Sequence, residues 1–109
     1  MSEFNKAIDK LIVAIGDDYK AFNLRSEYGY DADRVNKFRD ELSVKTGRKY
    51  AKILTDRSVW GFVQLEDDAK FKSGDILMAA GYNQPARNKP RGNIFDNYDI
   101  QWTGPRYLF

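Results

Sequence analysis

The side chains of this chain best suited to chemistry lie in one stretch, residues 83–93 (NQPARNKPRGN), where Arg87, Lys89 and Arg91 fall within five positions. No acid occurs between Asp75 and Asp96. Pro85 and Pro90 restrict the backbone, and Gly92-Asn93 admits the positive φ angles that a sharp turn needs. A semi-rigid loop of this kind presents two guanidinium forks (Arg87 and Arg91), a point charge (Lys89) and amide donors from Asn88 and Asn93. That set suits phosphate or another anion. Trp60, Tyr82 and Trp102 add stacking surfaces if the fold carries them to the loop. The competing reading is a solvated turn whose arginines lie over a sheet or pair with Asp96 and Asp99. Three cations fall short of a nucleic-acid footprint, so Lys70, Lys72 or Arg106 has to join them.

Two absences remove whole classes of chemistry. With no Cys among the 109 residues there is no disulfide, thiolate nucleophile, zinc–thiolate site or iron–sulfur cluster. With no His there is no imidazole base, catalytic triad or imidazole metal ligand. Carboxylate, Lys, Tyr and Arg chemistry remain, and they point away from an enzyme. The acidic runs Asp17-Asp18 and Glu66-Asp67-Asp68 lack the alternating acids and central Gly of a calcium loop and read as charged turns. Lys45-Thr46-Gly47-Arg48-Lys49 lacks the glycine spacing of a phosphate-binding loop and reads as a helix end with favourable dipole charge. No cofactor or metal is expected.

The elements that position these groups follow from periodicity. Phe4, Ile8, Leu11, Ile12, Ile15, Tyr19 and Phe22 recur at spacings of three and four, which predicts an amphipathic helix over 3–22 capped by Ser2. Gly16 and the two acids after it mark a bend or an early stop. A second helix is predicted from Asp31, which caps Arg34, to 43–46, where Gly47 ends it; Tyr30 and Val35 stand as a hydrophobic staple. From Lys49 the period changes. Residues 50–55 and 59–65 are β-branched and aromatic and form a hairpin around 56–58. Val59, Gly61, Val63 and Leu65 are expected on one face, with Trp60, Phe62 and Gln64 on the other. Both faces are largely apolar, which makes the second strand an interior one; core packing is the default role for Trp60 and Trp102. Residues 76–80 (ILMAA) are strong helix formers and predict a short helix between Asp75 and Gly81. Tyr98, Ile100 and Trp102 alternate as a strand, Thr103-Gly-Pro105 turns the chain, and Tyr107, Leu108 and Phe109 are expected to dock.

The expected fold is therefore α+β: two amino-terminal helices packed on a small, mostly antiparallel sheet, with a short helix near 76–80 and a long ordered loop at 82–97. One domain is expected over 1–109, with a helical layer in 1–46 and sheet, short helix and loop in 47–109. An apolar share of 42 % and an aromatic share of 15 % suffice for its core. No apolar run approaches the roughly 18–20 residues that span a bilayer, and the first residues lack a signal-peptide layout, so a cytoplasmic protein with no membrane partner is expected. The first 46 residues hold eight Lys/Arg against nine Asp/Glu and the remainder ten against seven, which puts the positive end in the second half.

Several motifs of that second half have a likeness elsewhere: Lys49-Tyr50, Val59-Trp60-Gly61-Phe62, Phe71-Lys72-x-Gly74-Asp75-Ile76-Leu77-x-Ala79-Ala80, Pro85-Ala86-Arg87-Asn88, Arg91-Gly92-Asn93-Ile94-Phe95 and Trp102-Thr103-Gly104. Over residues 48–109 the chain resembles short tailed-bacteriophage proteins with no assigned activity. The resemblance implies a small accessory protein made inside an infected bacterial cell, and no catalytic residues. The function expected first is a non-enzymatic module that engages an anionic ligand, nucleic acid or nucleotide, through the basic loop. Two others stay open. One is a protein–protein module acting on a host factor through Tyr28 and Tyr30 or through 107–109; the other is a hydrolase or nuclease that uses carboxylates and a divalent cation.

Overall fold

The computed structural model describes residues 3–27, 29–56, 58–87, 89–96 and 98–105. The expected cap Ser2, the candidates Tyr28, Asn88 and Arg106, and the apolar stretch 107–109 lie outside the described residues. Helix α1 spans Glu3–Arg25 and buries Ile8, Leu11 and Ile15, the face that the three-four spacing marks out. It does not stop at Gly16. The glycine is buried, and a Cβ there would stand 3.0 Å from Cγ and Nε of Arg39, so its absence lets that side chain cross the helix. Arg39 Nη2 then donates to Asp17 Oδ1 at 2.8 Å, and Asp18 Oδ2 accepts from the Trp102 backbone N–H at 2.8 Å. The two acids that disfavour a helix interior are thus held in place by partners from outside it.

Helix α2 spans Ala32–Glu41, capped as expected: Asp31 Oδ1 accepts from the N–H groups of Asp33 (3.0 Å) and Arg34 (3.2 Å). It ends earlier than the sequence predicts. Residues Leu42–Thr46 form strand β1, paired along its whole length with β2, Tyr50–Thr55, from Leu42↔Thr55 to Thr46↔Ala51. A complete ladder and the β-branched Val44 and Thr46 outweigh continuation of the helix, so the helical layer does not reach residue 46.

Strand β3, Ser58–Gln64, completes the expected hairpin and lies inside the sheet, with β2 on one side and β4, Ile76–Leu77, on the other. The four strands are antiparallel in the order β1-β2-β3-β4. The short helix expected at 76–80 is absent: after β4, residues Ala79–Gly81 form β5, which turns at Tyr82-Asn83 into β6, Gln84–Pro85. Ile76 and Leu77 are fully buried and pair with Val63 and Phe62, and this tertiary pairing overrides the helix propensity of Ile-Leu-Met-Ala-Ala. Strands β7, Ile100–Gln101, and β8, Gly104–Pro105, make a last hairpin with Trp102-Thr103 at its turn. The architecture is α+β, with about a third of the chain helical and a third in strands.

A bulge decides which face each β3 side chain takes. Ile53 pairs with Gly61 but Leu54 pairs with Val59, so Trp60 is the extra residue and parity reverses across it. Trp60 therefore joins Val63 in the helix-facing core with Leu11, Ile15, Ile53 and Ile76, and its Nε1 donates to the Gln101 carbonyl at 2.8 Å. Phe62 stays on the outer face with Leu77 and Phe71. The expected grouping of Trp60 with Phe62 fails for that reason. Gly61 fits the kink: a Cβ would lie 2.9 Å from both the Leu77 carbonyl and the Pro105 ring.

Candidate functional site

The loop expected to bind an anion is stitched to the body of the protein. Its return, residues 91–94, runs beside 74–76: Arg91 N donates to Ile76 O, Ile76 N to Gly92 O and Ile94 N to Gly74 O, at 2.8–2.9 Å. Asn93 is the clasp. Its Nδ2 donates to Ser73 O (2.9 Å) and to the buried Asp75 Oδ1 (3.0 Å), while its Oδ1 accepts from Phe95 N (2.8 Å). Gly74 beside it has φ +90°, and a Cβ there would sit 2.8 Å from Asn93 Oδ1.

Two of its cations, Arg87 and Arg91, are engaged by the protein itself. Arg87 Nη2 pairs with Asp68 Oδ2 at 2.8 Å and Nη1 donates to Tyr50 Oη at 2.6 Å, while the guanidinium lies 4.6 Å from the Phe71 ring centre. Asp68 also accepts from the backbone N–H groups of Phe71 and Lys70. Those bonds, the Phe71 N–H foremost and Arg87 next, hold its carboxyl far below the usual carboxylate range. Reciprocally, Asp68 raises the Arg87 guanidinium further. Lys70 Nζ donates to the Arg87 carbonyl. Arg91 is half-buried, burial lowers its guanidinium from the ordinary value, and Nη1 donates to Lys89 O at 2.8 Å. Arg87 does lie over the sheet and pair with an acid, but the acid is Asp68 and neither Asp96 nor Asp99.

The aromatics separate. Trp60 is 2 % exposed and belongs to the core. Trp102 packs into a cluster with Tyr19, Phe22 and Phe38, its ring 4.9 Å from Tyr19 and 5.1 Å from Phe22. Tyr82 is different: it stands at the β5–β6 turn, 58 % exposed, with Lys52 Nζ 4.0 Å above its ring. Tyr30 is exposed as well.

A basic hollow forms elsewhere, where the early end of α2 turns 45–49 from a helix end into the tip of a hairpin. Lys45, Arg48, Lys49 and Lys52 line it together with Tyr50 and Asn83, in a volume of about 270 Å³. Among the described residues no carboxylate lines it, and Lys45, Arg48 and Lys49 enter no ion pair. Lys45 and Lys52 are directly opposed across β1 and β2, and Phe62 is opposed to Lys52 across β3. Lys52 Nζ donates to Asn83 Oδ1 at 2.8 Å, which ties the β5–β6 turn to the hairpin. The sequence signal for this site was the acid-free run from Val44 to Thr55, broken into alternating strands on either side of Gly47.

The acidic runs serve the fold. Asp67 Oδ1 accepts from Ser73 N, Asp68 ties down Arg87, and Asp17 holds Arg39. Among the described residues no three acids gather as a metal cage, and no helix is long and apolar enough to cross a membrane. No family model matches the chain, and no curated protein or solved structure does either.

Proposed function

We propose that the chain is a non-enzymatic binding protein that engages a phosphate-bearing ligand, nucleic acid or nucleotide, through the outer face of the β1–β2 hairpin. The observation that carries this reading is the direct opposition of Lys45 and Lys52, flanked by Arg48 and Lys49 over a hollow without acids. Like charges opposed across a ladder destabilise a sheet, and a bound anion turns that repulsion into attraction. Arg48 offers a planar fork for phosphate oxygens, and the lysines supply point charges along a backbone. The site is an adjustment of the anion-receptor expectation: Tyr82 and the 83–93 segment contribute through Asn83, while Arg87 and Asn93 hold the scaffold. The resemblance of residues 48–109 to short tailed-phage proteins supports an accessory role in the cytoplasm of an infected bacterial cell.

Fluorescence anisotropy with a labelled oligonucleotide tests it. Four cations on a single strand give a slope of log affinity against log salt of about −3. Replacing Lys45, Arg48 and Lys49 together by Ala should lower affinity at least about tenfold and flatten the slope by about two. Affinity unchanged in that triple variant would refute the reading.

A further inference from the structure

Next to the basic hollow lies a second, shallower one of about 380 Å³, formed by Ser58, Val59, Ala79, Ala80, Gly81 and Tyr82. Tyr82 links the two, because Lys52, which lines the basic hollow, stands over its ring and bonds its neighbour Asn83. We propose that the ligand is a single-stranded nucleic acid, one base of which stacks on Tyr82 in this second hollow while the adjoining phosphates lie on the hairpin cations. The inference rests on the phosphate-binding reading and names its substrate class.

Three features carry it. First, an aromatic ring at a hairpin tip, more than half exposed, offers a stacking surface that any base can use, and Lys52 beside it complements the adjoining phosphate. Second, the hollow is floored by small side chains. Gly81 has open space where a Cβ would go, so a flat ring can approach the backbone closely, and the Ser58 hydroxyl at the rim can meet a base edge. Third, the small-residue hollow and the cation cluster meet at Tyr82 and Lys52, as base and phosphate adjoin along one strand. A duplex keeps its bases stacked inside, out of reach of a single tyrosine on a turn, so the geometry selects the unpaired strand.

The test uses the full chain and three labelled probes of one length, about twelve nucleotides: a thymidine strand, its duplex with the complementary strand, and an abasic strand. The thymidine strand should bind at least about tenfold more tightly than the other two. Tyr82→Ala should remove that advantage, so that the thymidine and abasic strands bind that variant equally, whereas Tyr82→Trp should tighten the thymidine strand. Gly81→Leu fills the hollow at a position with room for a side chain and should act like Tyr82→Ala, which guards against a loss caused by misfolding of one variant. Equal affinity for all three probes, or a Tyr82→Ala variant that keeps its preference for the thymidine strand, overturns the base site. If that occurs while the triple hairpin variant still loses binding, the phosphate reading stands alone. A triple variant that binds normally sinks the phosphate reading, whatever Tyr82 does.

Discussion

The segment 87–91 and the hairpin tip 45–52 carry similar charge, yet they use it in opposite ways. In the first, Arg87 is clasped by Asp68 and Tyr50, and Arg91 turns back on the Lys89 carbonyl. In the second, Lys45, Arg48 and Lys49 face a hollow with no carboxylate among the described residues. What separates them is where acids arrive in space. Asp68 lies 19 positions from Arg87 in the chain but 2.8 Å from it in the fold. Arg87 is a structural fastener; among the described residues Lys45, Arg48 and Lys49 enter no ion pair.

Substitutions should therefore separate stability from binding. The largest stability effect is expected at Gly74→Ala, where a positive φ and the approach of Asn93 and Phe95 together cost about 2–3 kcal/mol in a urea titration. Asn93→Ala comes next, at about 1–3 kcal/mol, because it leaves Asp75 Oδ1 and the Ser73 carbonyl without their shared donor. Neither change should alter affinity measured on the folded fraction; a specific loss there would erase the distinction between the two regions.

The Asp68–Arg87 pair is read through pH. The folded carboxyl titrates below its unfolded value of about 3.9, so its contribution is complete above that value and is lost as pH falls through the unfolded and then the folded value. Asp68→Asn should flatten the acid-unfolding curve below about pH 4, followed by circular dichroism, and leave the curve above about pH 5 parallel to the parent's. The smallest effect on stability has the opposite sign. Lys45→Glu places an acid opposite Lys52 and should stabilise the fold by about 0.2–1 kcal/mol while weakening oligonucleotide binding. A variant both less stable and equally tight would reverse the assignment of roles.

Much of the framework was legible because it is local. The three-four spacing from Phe4 to Phe22 marked α1, Asp31 marked the cap of α2, and the apolar strands around 56–58 marked the β2–β3 hairpin. The errors fall where a distant partner overrides a local preference. Leu42–Thr46 and Ile76–Gly81 are strands because β2 and β3 offer them ladders, which short-range propensity does not register. The reversal of faces at Trp60 arises from one unpaired residue, whose trace in the sequence is only Gly61 after it. The basic hollow went unread for a related reason. Distance along the chain to the nearest acid made 83–93 look unoccupied, and the misread end of α2 hid the hairpin tip at 45–49.

The bond from the Trp102 amide to Asp18 joins residues 84 positions apart. During translation α1 is made well before Trp102, which helps to cover it beside Tyr19 and Phe22. That contact closes a long stretch of chain, a slow step in folding, and part of the greasy side of the helix stays uncovered until the β7–β8 hairpin docks.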